Sequence, residues 1–165
     1  MAQRRSGWML TARKGAEMKA TVEHPETEGP LGTLRVIDAM HPGVISCPPE
    51  TPLRTVARMM ATYRVHAIIV SAHGADELPD GSLWGVVSDA DLVRVAEAAD
   101  LDEQTAGSIA ATPALTVGSS EPLGRAAQLM VEHEVSHVVA IERHSLRPIG
   151  VVSTLDVARA LAGLP

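Results

Sequence analysis

The chain has 165 residues, with 14 lysines and arginines against 20 aspartates and glutamates, which gives a formal charge of −6. This length allows one ordinary domain or two small repeats that share a core, and it excludes a barrel enzyme. A hydrophobic content of 45% excludes a wholly disordered chain, and an aromatic content of 2% predicts an aliphatic core.

Residues 1–33 show no sustained hydrophobic period and contain His24-Pro25 and Gly29-Pro30. We therefore predict a mobile tail over residues 1–33. The Arg4-Arg5 pair is not followed by an apolar stretch, and no apolar run approaches the roughly 20 residues of a membrane-spanning helix. The sequence thus predicts a cytoplasmic protein without a membrane partner. The single cysteine, Cys47, excludes an intramolecular disulfide.

An internal repeat begins after the tail. An offset of 70 residues places Pro52-Leu53 on Pro122-Leu123 and Met60 on Met130. An offset of 65 residues places Gly-Val-Val-Ser at 85–88 on the same four letters at 150–153. So many ordered matches indicate a tandem duplication, with one repeat over residues 34–100 and the second over residues 101–165.

Each repeat predicts the order strand, helix, strand, strand, helix. The predicted strands are residues 44–47, 67–70 and 83–87 in the first repeat, and 114–117, 138–141 and 149–152 in the second. The predicted helices open at Pro52 and Pro122, and again over residues 90–99 and 155–161. Because neither repeat buries much alone, we predict an α/β fold of the α+β kind, with two β-α-β-β-α units packed sheet to sheet about a pseudo-twofold axis.

The motif Gly-Val-Val-Ser-x-x-Asp occurs at 85–91 and at 150–156. A helix that begins at the serine would direct free N–H groups outward, which suits an anion, and the aspartate could hold a ribose diol. The same Ser-x-x-Asp spacing also predicts a capping box that only satisfies helix N–H groups. Two copies at matched positions favour the ligand interpretation.

These motifs resemble the CBS domain, and the pair resembles a Bateman module. The resemblance is carried by Asp38-Ala39-Met40, by the run at 64–70, by the proline-led helices and by both Gly-Val-Val-Ser-x-x-Asp motifs. It covers roughly residues 34–161. It implies a cleft between the repeats that holds an adenine nucleotide.

The resemblance also implies the residues of that cleft. Aspartates would bind ribose, serines would contact ribose or phosphate, strand backbone would read the adenine edge, and the runs at 65–67 and 135–137 would line the ring and approach the phosphates. The implied ligand-binding residues are Ile45, Ser46, Val65, His66, Ala67, Ser88, Ala90, Asp91, Leu115, Thr116, Val135, Ser136, His137, Ser153, Leu155 and Asp156. Aliphatic side chains would sandwich the purine, with Val65, Ile69, Val135 and Val139 as candidates.

AMP, ADP, ATP and S-adenosylmethionine are the candidate ligands. Few basic groups are available near the phosphates, namely Arg64, Arg94, Arg147 and Arg159. Their scarcity favours a monophosphate, a diphosphate or S-adenosylmethionine over a triphosphate.

The sequence shows no constellation that indicates catalysis. The seven histidines lack metal-ligand spacing, and no Ser-His-Asp order or phosphate-binding glycine loop is present. His66 and His137 are interpreted as half-buried side chains that bond to backbone or contact phosphate, and Cys47 as a core residue. We therefore expect no enzyme activity, no metal site, no required cofactor and no nucleic-acid partner.

Two functions follow from these observations. The first is a stand-alone regulatory sensor of adenine nucleotides, and the alternative is a ligand-free dimerisation or protein-interaction module. A weaker third hypothesis is metal binding through His66, His137 or Cys47. Apolar residues in excess of one buried helix face predict an exposed apolar surface, formed by Leu92, Val93, Val95, Ala96, Val157, Ala158 and Leu161. The resemblance to the CBS family implies that such helices pair two modules, so we expect a homodimer.

Overall fold

The computed structural model describes residues 31–72, 85–97 and 100–164. The first repeat contains α1 (Val36–Ala39), β1 (His41–Pro42), β2 (Ser46–Cys47), α2 (Leu53–Tyr63), β3 (Ala67–Val70), β4 (Gly85–Ser88) and α3 (Asp89–Val95). The second contains α4 (Ala106–Ile109), β5 (Thr116–Gly118), α5 (Leu123–Glu132), β6 (His137–Ile141), β7 (Pro148–Ser153) and α6 (Thr154–Leu161). Most of the predicted tail, the first two residues of the predicted strand 83–87 and the last two residues of the predicted helix 90–99 lie outside the described residues.

Two sheets form the centre of the fold. One has the order β2-β3-β4 and the other the order β1-β7-β6-β5. Strand β2 runs parallel to β3, and β5 runs parallel to β6. Strands β4 and β7 run antiparallel to β3 and β6, so the two repeats share one pattern. Ile69 and Val86 of one sheet share a buried cluster with Val139 and Val151 of the other. The predicted sheet-to-sheet packing of two duplicated units is therefore confirmed.

The two long helices begin at equivalent positions in the two repeats, Leu53 and Leu123. Pro52 and Pro122 immediately precede α2 and α5, and each helix buries an apolar stripe against its own sheet. Each helix is followed by a residue in the left-handed region, Arg64 with φ 55° and Glu134 with φ 54°. The N–H of the next residue then closes the helix end by bonding to the carbonyl of Met60 or Met130. Arg64 and Glu134 are thus equivalent positions.

The first segment of each repeat packs against the other repeat, which the sequence analysis did not predict. Helix α1 contacts α5 and α6, and α4 contacts β4. Strand β1 pairs with β7, and Ala111 pairs with Val86 of β4. Leu31, inside the predicted tail, also packs against the core of the second repeat. The repeats are therefore interlocked.

The glycines of the repeated Gly-Val-Val-Ser motif permit this crossing. A Cβ added to Gly150 would lie 2.5 Å from the carbonyl oxygen of His41, and one added to Gly85 would lie 2.9 Å from that of Ala111. Both distances are too short for a side chain. The motif thus keeps glycine where the segment from the other repeat lies against the strand.

The outer apolar surface is smaller than predicted. Leu92, Val95 and Val157 pack partly against the two repeat cores, so they point inward rather than outward. Val93 and Leu161 are exposed, at 74% and 57% of their area. Within the described ranges, no helix has the length and hydropathy needed to cross a bilayer.

Candidate functional site

A cleft of about 500 Å³ lies between the two repeats. Strand β1 and the segment that follows it form one wall, the end of α2 and the start of β3 form the second, and β7 with the start of α6 forms the third. The lining residues are His41, Pro42, Gly43, Val44, Ile45, Tyr63, Arg64, Val65, His66, Ala67, His137, Val151, Ser153, Leu155, Asp156 and Arg159. The volume lies within the range of about 300–1,000 Å³ that small-molecule sites occupy.

Asp156 is held in place by the start of α6. Its Oδ2 accepts hydrogen bonds from the backbone N–H of Ser153 at 2.8 Å and from the Ser153 hydroxyl at 2.6 Å. The N–H of Asp156 is in turn 3.3 Å from Ser153 Oγ, so the predicted capping box is confirmed. Oδ2 of Asp156 therefore caps the helix, and Oδ1 takes no part in the cap.

The second carboxylate oxygen of Asp156 faces two basic groups. Nδ1 of His41 lies 3.2 Å from Oδ1, and Nη1 of Arg159 lies 3.5 Å from the same atom. The Asp156 side chain is only 2% exposed, whereas that of His41 is 65% exposed. His41 can therefore leave Oδ1 at little cost in buried area, and its departure would open this oxygen to a ligand hydroxyl.

Two further histidines lie at the junction of the repeats. Nδ1 of His66 is 2.7 Å from Oδ2 of Asp89, and Nδ1 of His137 is 2.8 Å from the Ser136 hydroxyl. Burial lowers the pKa of His137, and the nearby His66 lowers it further, while Asp89, Asp156 and Asp91 partly oppose the shift. The imidazole of His137 is thus mostly neutral at pH 7. It lies near charged groups of both repeats.

Asp91 is the equivalent of Asp156 in the first repeat. It forms the same capping box with Ser88, and its Oδ1 accepts a 2.7 Å hydrogen bond from Arg94. Asp91 does not line the 500 Å³ cleft, although its charge acts on His137 together with that of Asp156. The two junctions therefore approach each other, and only Asp156 belongs to this cleft.

Only half of the sixteen predicted ligand residues line this cleft. Eight of them line the cleft: Ile45, Val65, His66, Ala67, His137, Ser153, Leu155 and Asp156. Six others hold equivalent positions in the opposite repeat: Ser88, Ala90, Asp91, Leu115, Val135 and Ser136. Ser46 and Thr116 begin strands β2 and β5. None of these eight lines the cleft.

Several details differ from the predicted mode of adenine recognition. The carbonyls of Ile45 and Leu115 already accept ladder hydrogen bonds from Ile69 and Val139, each at 2.9 Å. The side chains of Ile69 and Val139 are buried between the sheets and cannot sandwich a purine. Of the proposed aliphatic partners, Val65 alone lines the cleft.

Part of the cleft wall was not predicted from the sequence. His41, Tyr63 and Val151 line the cleft but were not among the predicted ligand residues. His41 arrives through the pairing of β1 with β7, which links the two repeats and leaves no local signal. Tyr63 is the only tyrosine and directly precedes the left-handed Arg64, and that combination could have indicated it.

Neither metal chemistry nor thiol chemistry is evident in the part of the chain that the structure describes. No group of three or more His, Cys, Asp or Glu side chains there is arranged to hold a metal ion. Cys47 is buried in the core of the first repeat, and burial raises the pKa of its thiol. Cys47 is therefore a core residue, as predicted.

Known proteins are similar to this chain in fold and in sequence. The family described as CBS domain matches residues 36–98 and 106–163. Hypoxic response protein 1 from Mycobacterium tuberculosis is 29% identical over 126 residues, which span 75% of this chain and 82% of that protein. A crystal structure of Hypoxic Response Protein I with two coordinated zinc ions is 26% identical, with a TM-score of 0.57, and the match covers 76% of this chain and 98% of that one.

A second solved structure is a CBS domain protein from Pyrobaculum aerophilum complexed with AMP. It is 29% identical with a TM-score of 0.66, and the match covers 79% of this chain and 98% of that one. A CBS domain pair in complex with 5′-methylthioadenosine and S-adenosyl-L-methionine is 19% identical, with a TM-score of 0.65 over 79% of this chain and 97% of that one, and supports the fold alone. The chain therefore belongs to the CBS domain family, and it carries two copies of that domain in tandem.

Proposed function

We propose that this protein is a regulatory module that binds a phosphorylated adenosine, AMP or ADP, in the cleft between its two CBS domains. The observation that carries the proposal is the composition of the cleft wall. Apolar residues, several basic groups and the carboxylate of Asp156 surround one cavity of about 500 Å³. Only one oxygen of that carboxylate is used by the helix cap. These are the three environments that a base, a ribose and a phosphate require.

The base and the ribose find matching surfaces. Val44, Ile45, Val65 and Val151 offer an apolar surface for the purine, and Tyr63 adds a ring at the cleft edge. The ribose hydroxyls would donate to Oδ1 of Asp156 and replace His41 there. Because Oδ2 stays with the Ser153 cap, binding would not cost the helix its N-terminal hydrogen bonds.

The phosphate would lie beside the basic groups. Arg64, Arg159 and three histidines all line the cleft. Ser153 is also the N-cap of α6, and the N-terminus of a helix is the positive end of its dipole. This set is large enough for one or two phosphates, and the acidic body of the protein disfavours a longer chain of them.

The relatives support the same assignment. The protein from Pyrobaculum aerophilum, 29% identical to this chain, is complexed with AMP. Any regulatory effect would require that the nucleotide bind two conformations, or two association states, with different affinity. Hypoxic Response Protein I holds two coordinated zinc ions, whereas the described residues of this chain include no group of three or more His, Cys, Asp or Glu side chains arranged for a metal ion.

Thermal unfolding with and without ligand tests the proposal. With AMP at about 100 times its Kd, we expect the free energy of unfolding to rise by about 2.7 kcal/mol, because the ligand binds only the folded state. AMP and ADP should raise Tm more than ATP at equal concentration, and GMP should serve as the base control. Equal Tm values with and without every adenosine compound would favour the ligand-free interaction module instead.

We also propose that two copies associate through the outer surfaces of α3 and α6. Val93 and Leu161 are the exposed apolar residues there, together with Leu155 at 51% exposure. Light scattering after size exclusion should give twice the mass of 17.4 kDa, and a double Val93→Glu, Leu161→Glu variant should give a monomer. A wild-type monomer, or a variant that stays dimeric, would contradict this interface.

A further inference from the structure

The internal repeat allows the charges of the cleft to be compared with those at the equivalent positions of the opposite repeat. We call the cavity beside Asp156 the first cleft, and the equivalent positions around Asp91 the second cleft. Arg64 and Glu134 correspond closely, because both follow the same helix in the same left-handed conformation, with φ 55° and 54°. The first cleft therefore has a guanidinium where the second has a carboxylate.

The histidines of the two clefts also differ in position. Under the offset of 70 residues, His41, His66 and His137 correspond to Ala111, Ser136 and Ala67, while Tyr63 and Ala67 of the first cleft correspond to His133 and His137 in the second. The arginine after each aspartate is common to both clefts, as Arg159 and Arg94. The exchange of Arg64 for Glu134 is therefore the main difference in charge.

The first turns of the two helices differ as well. Asp89 opens α3 in the first repeat, and Thr154 opens α6 in the second. Oδ2 of Asp89 lies 2.7 Å from Nδ1 of His66 in the wall of the first cleft, so the charge of Asp89 does not belong to the second cleft alone. With Asp89 set apart, the first cleft has two arginines against Asp156, and the second has one arginine against Glu134 and Asp91. In addition, Arg94 is already held by Asp91 at 2.7 Å.

From this difference we infer that the two clefts select adenosine compounds by charge. The first cleft takes a phosphorylated adenosine, and the second excludes one, so that a single chain binds one nucleotide. This inference rests on the proposed function, because it specifies which of two related clefts performs it. The carboxylate of Glu134 is the group that excludes the phosphate.

The test exchanges the two residues at the ends of α2 and α5. Isothermal titration of the full chain with AMP should give one site per chain, and adenosine should serve as the control ligand because it differs only by the phosphate. Arg64→Glu should weaken AMP by about ten- to hundredfold, the value of a lost hydrogen bond to a charged group, and should leave adenosine within about threefold. Glu134→Arg should raise the stoichiometry for AMP to two.

The exchange is well suited to folding, because the chain already holds an arginine and a glutamate in this left-handed conformation. In the double variant Arg64→Glu, Glu134→Arg, the single AMP site should move to the second cleft. Its binding should then be abolished by Asp91→Ala rather than by Asp156→Ala.

Two AMP sites of equal affinity in the wild type would overturn the charge selection while leaving the nucleotide function intact. A Glu134→Arg variant that still binds one AMP would overturn it as well. Absence of binding by both AMP and adenosine would contradict the proposed function itself.

Discussion

Replacement of Asp156 by alanine should abolish AMP binding. The ribose would lose its acceptor at Oδ1, and the empty position would be lined by the unpaired His41 and Arg159. Two hydrogen bonds to a charged acceptor amount to about a hundredfold or more in affinity. The measurement is the Kd for AMP by isothermal titration calorimetry. The variant should also lose about 1–2 kcal/mol of stability, because the capping box of α6 is broken.

Asp91→Ala is the matched control for this experiment. It breaks the same capping box at the start of α3 and should cost the same 1–2 kcal/mol of stability. It should keep the AMP affinity of the wild type, because Asp91 does not line the first cleft. Equal loss of AMP binding in both variants would contradict the assignment of Asp156 as the ribose ligand, and would attribute the loss to helix capping instead.

Much of the fold could be predicted from the sequence because its signals are local and occur twice. Each proline-led helix shows its apolar stripe in the sequence, and each Ser-x-x-Asp shows its cap. The duplication then predicted the packing of one sheet on the other. Periodicity and capping depend on neighbouring residues, so one sequence is enough to reveal them.

The cleft was harder to predict because part of it is assembled by contacts between the repeats. His41 reaches Asp156 only because β1 pairs with β7, more than 100 residues later in the chain. The short helices α1 and α4 have four residues each, too few for a periodic pattern. Gly150 is repeated in the sequence as part of the Gly-Val-Val-Ser motif. The structural requirement for glycine there, the nearby carbonyl of His41, is visible only in three dimensions.

The charge difference between the clefts, by contrast, could have been read from the repeat. Asp91 and Asp156 are the same in both repeats, whereas Arg64 corresponds to Glu134 and His66 to Ser136. In a duplicated protein the matches indicate the shared fold, and the mismatches indicate where the two copies have diverged in chemistry.

Binding of AMP should be accompanied by uptake of a proton at His137. Burial lowers the pKa of this imidazole in the free protein below its ordinary value of 6.5, so the neutral form predominates at pH 6.5. A phosphate in the first cleft would favour the charged form and raise that pKa. Affinity should therefore increase as pH falls through the pKa of the bound state, and should become constant once His137 is charged in both states.

Calorimetry of AMP binding in buffers of different ionisation enthalpy measures this uptake directly. The phosphate has its own pKa of about 6, but it contributes to the wild type and to a His137→Gln variant alike. The difference between the two proteins isolates His137, and it should be greatest between the free and the bound pKa. Equal proton uptake in the two proteins would show that the phosphate does not approach His137.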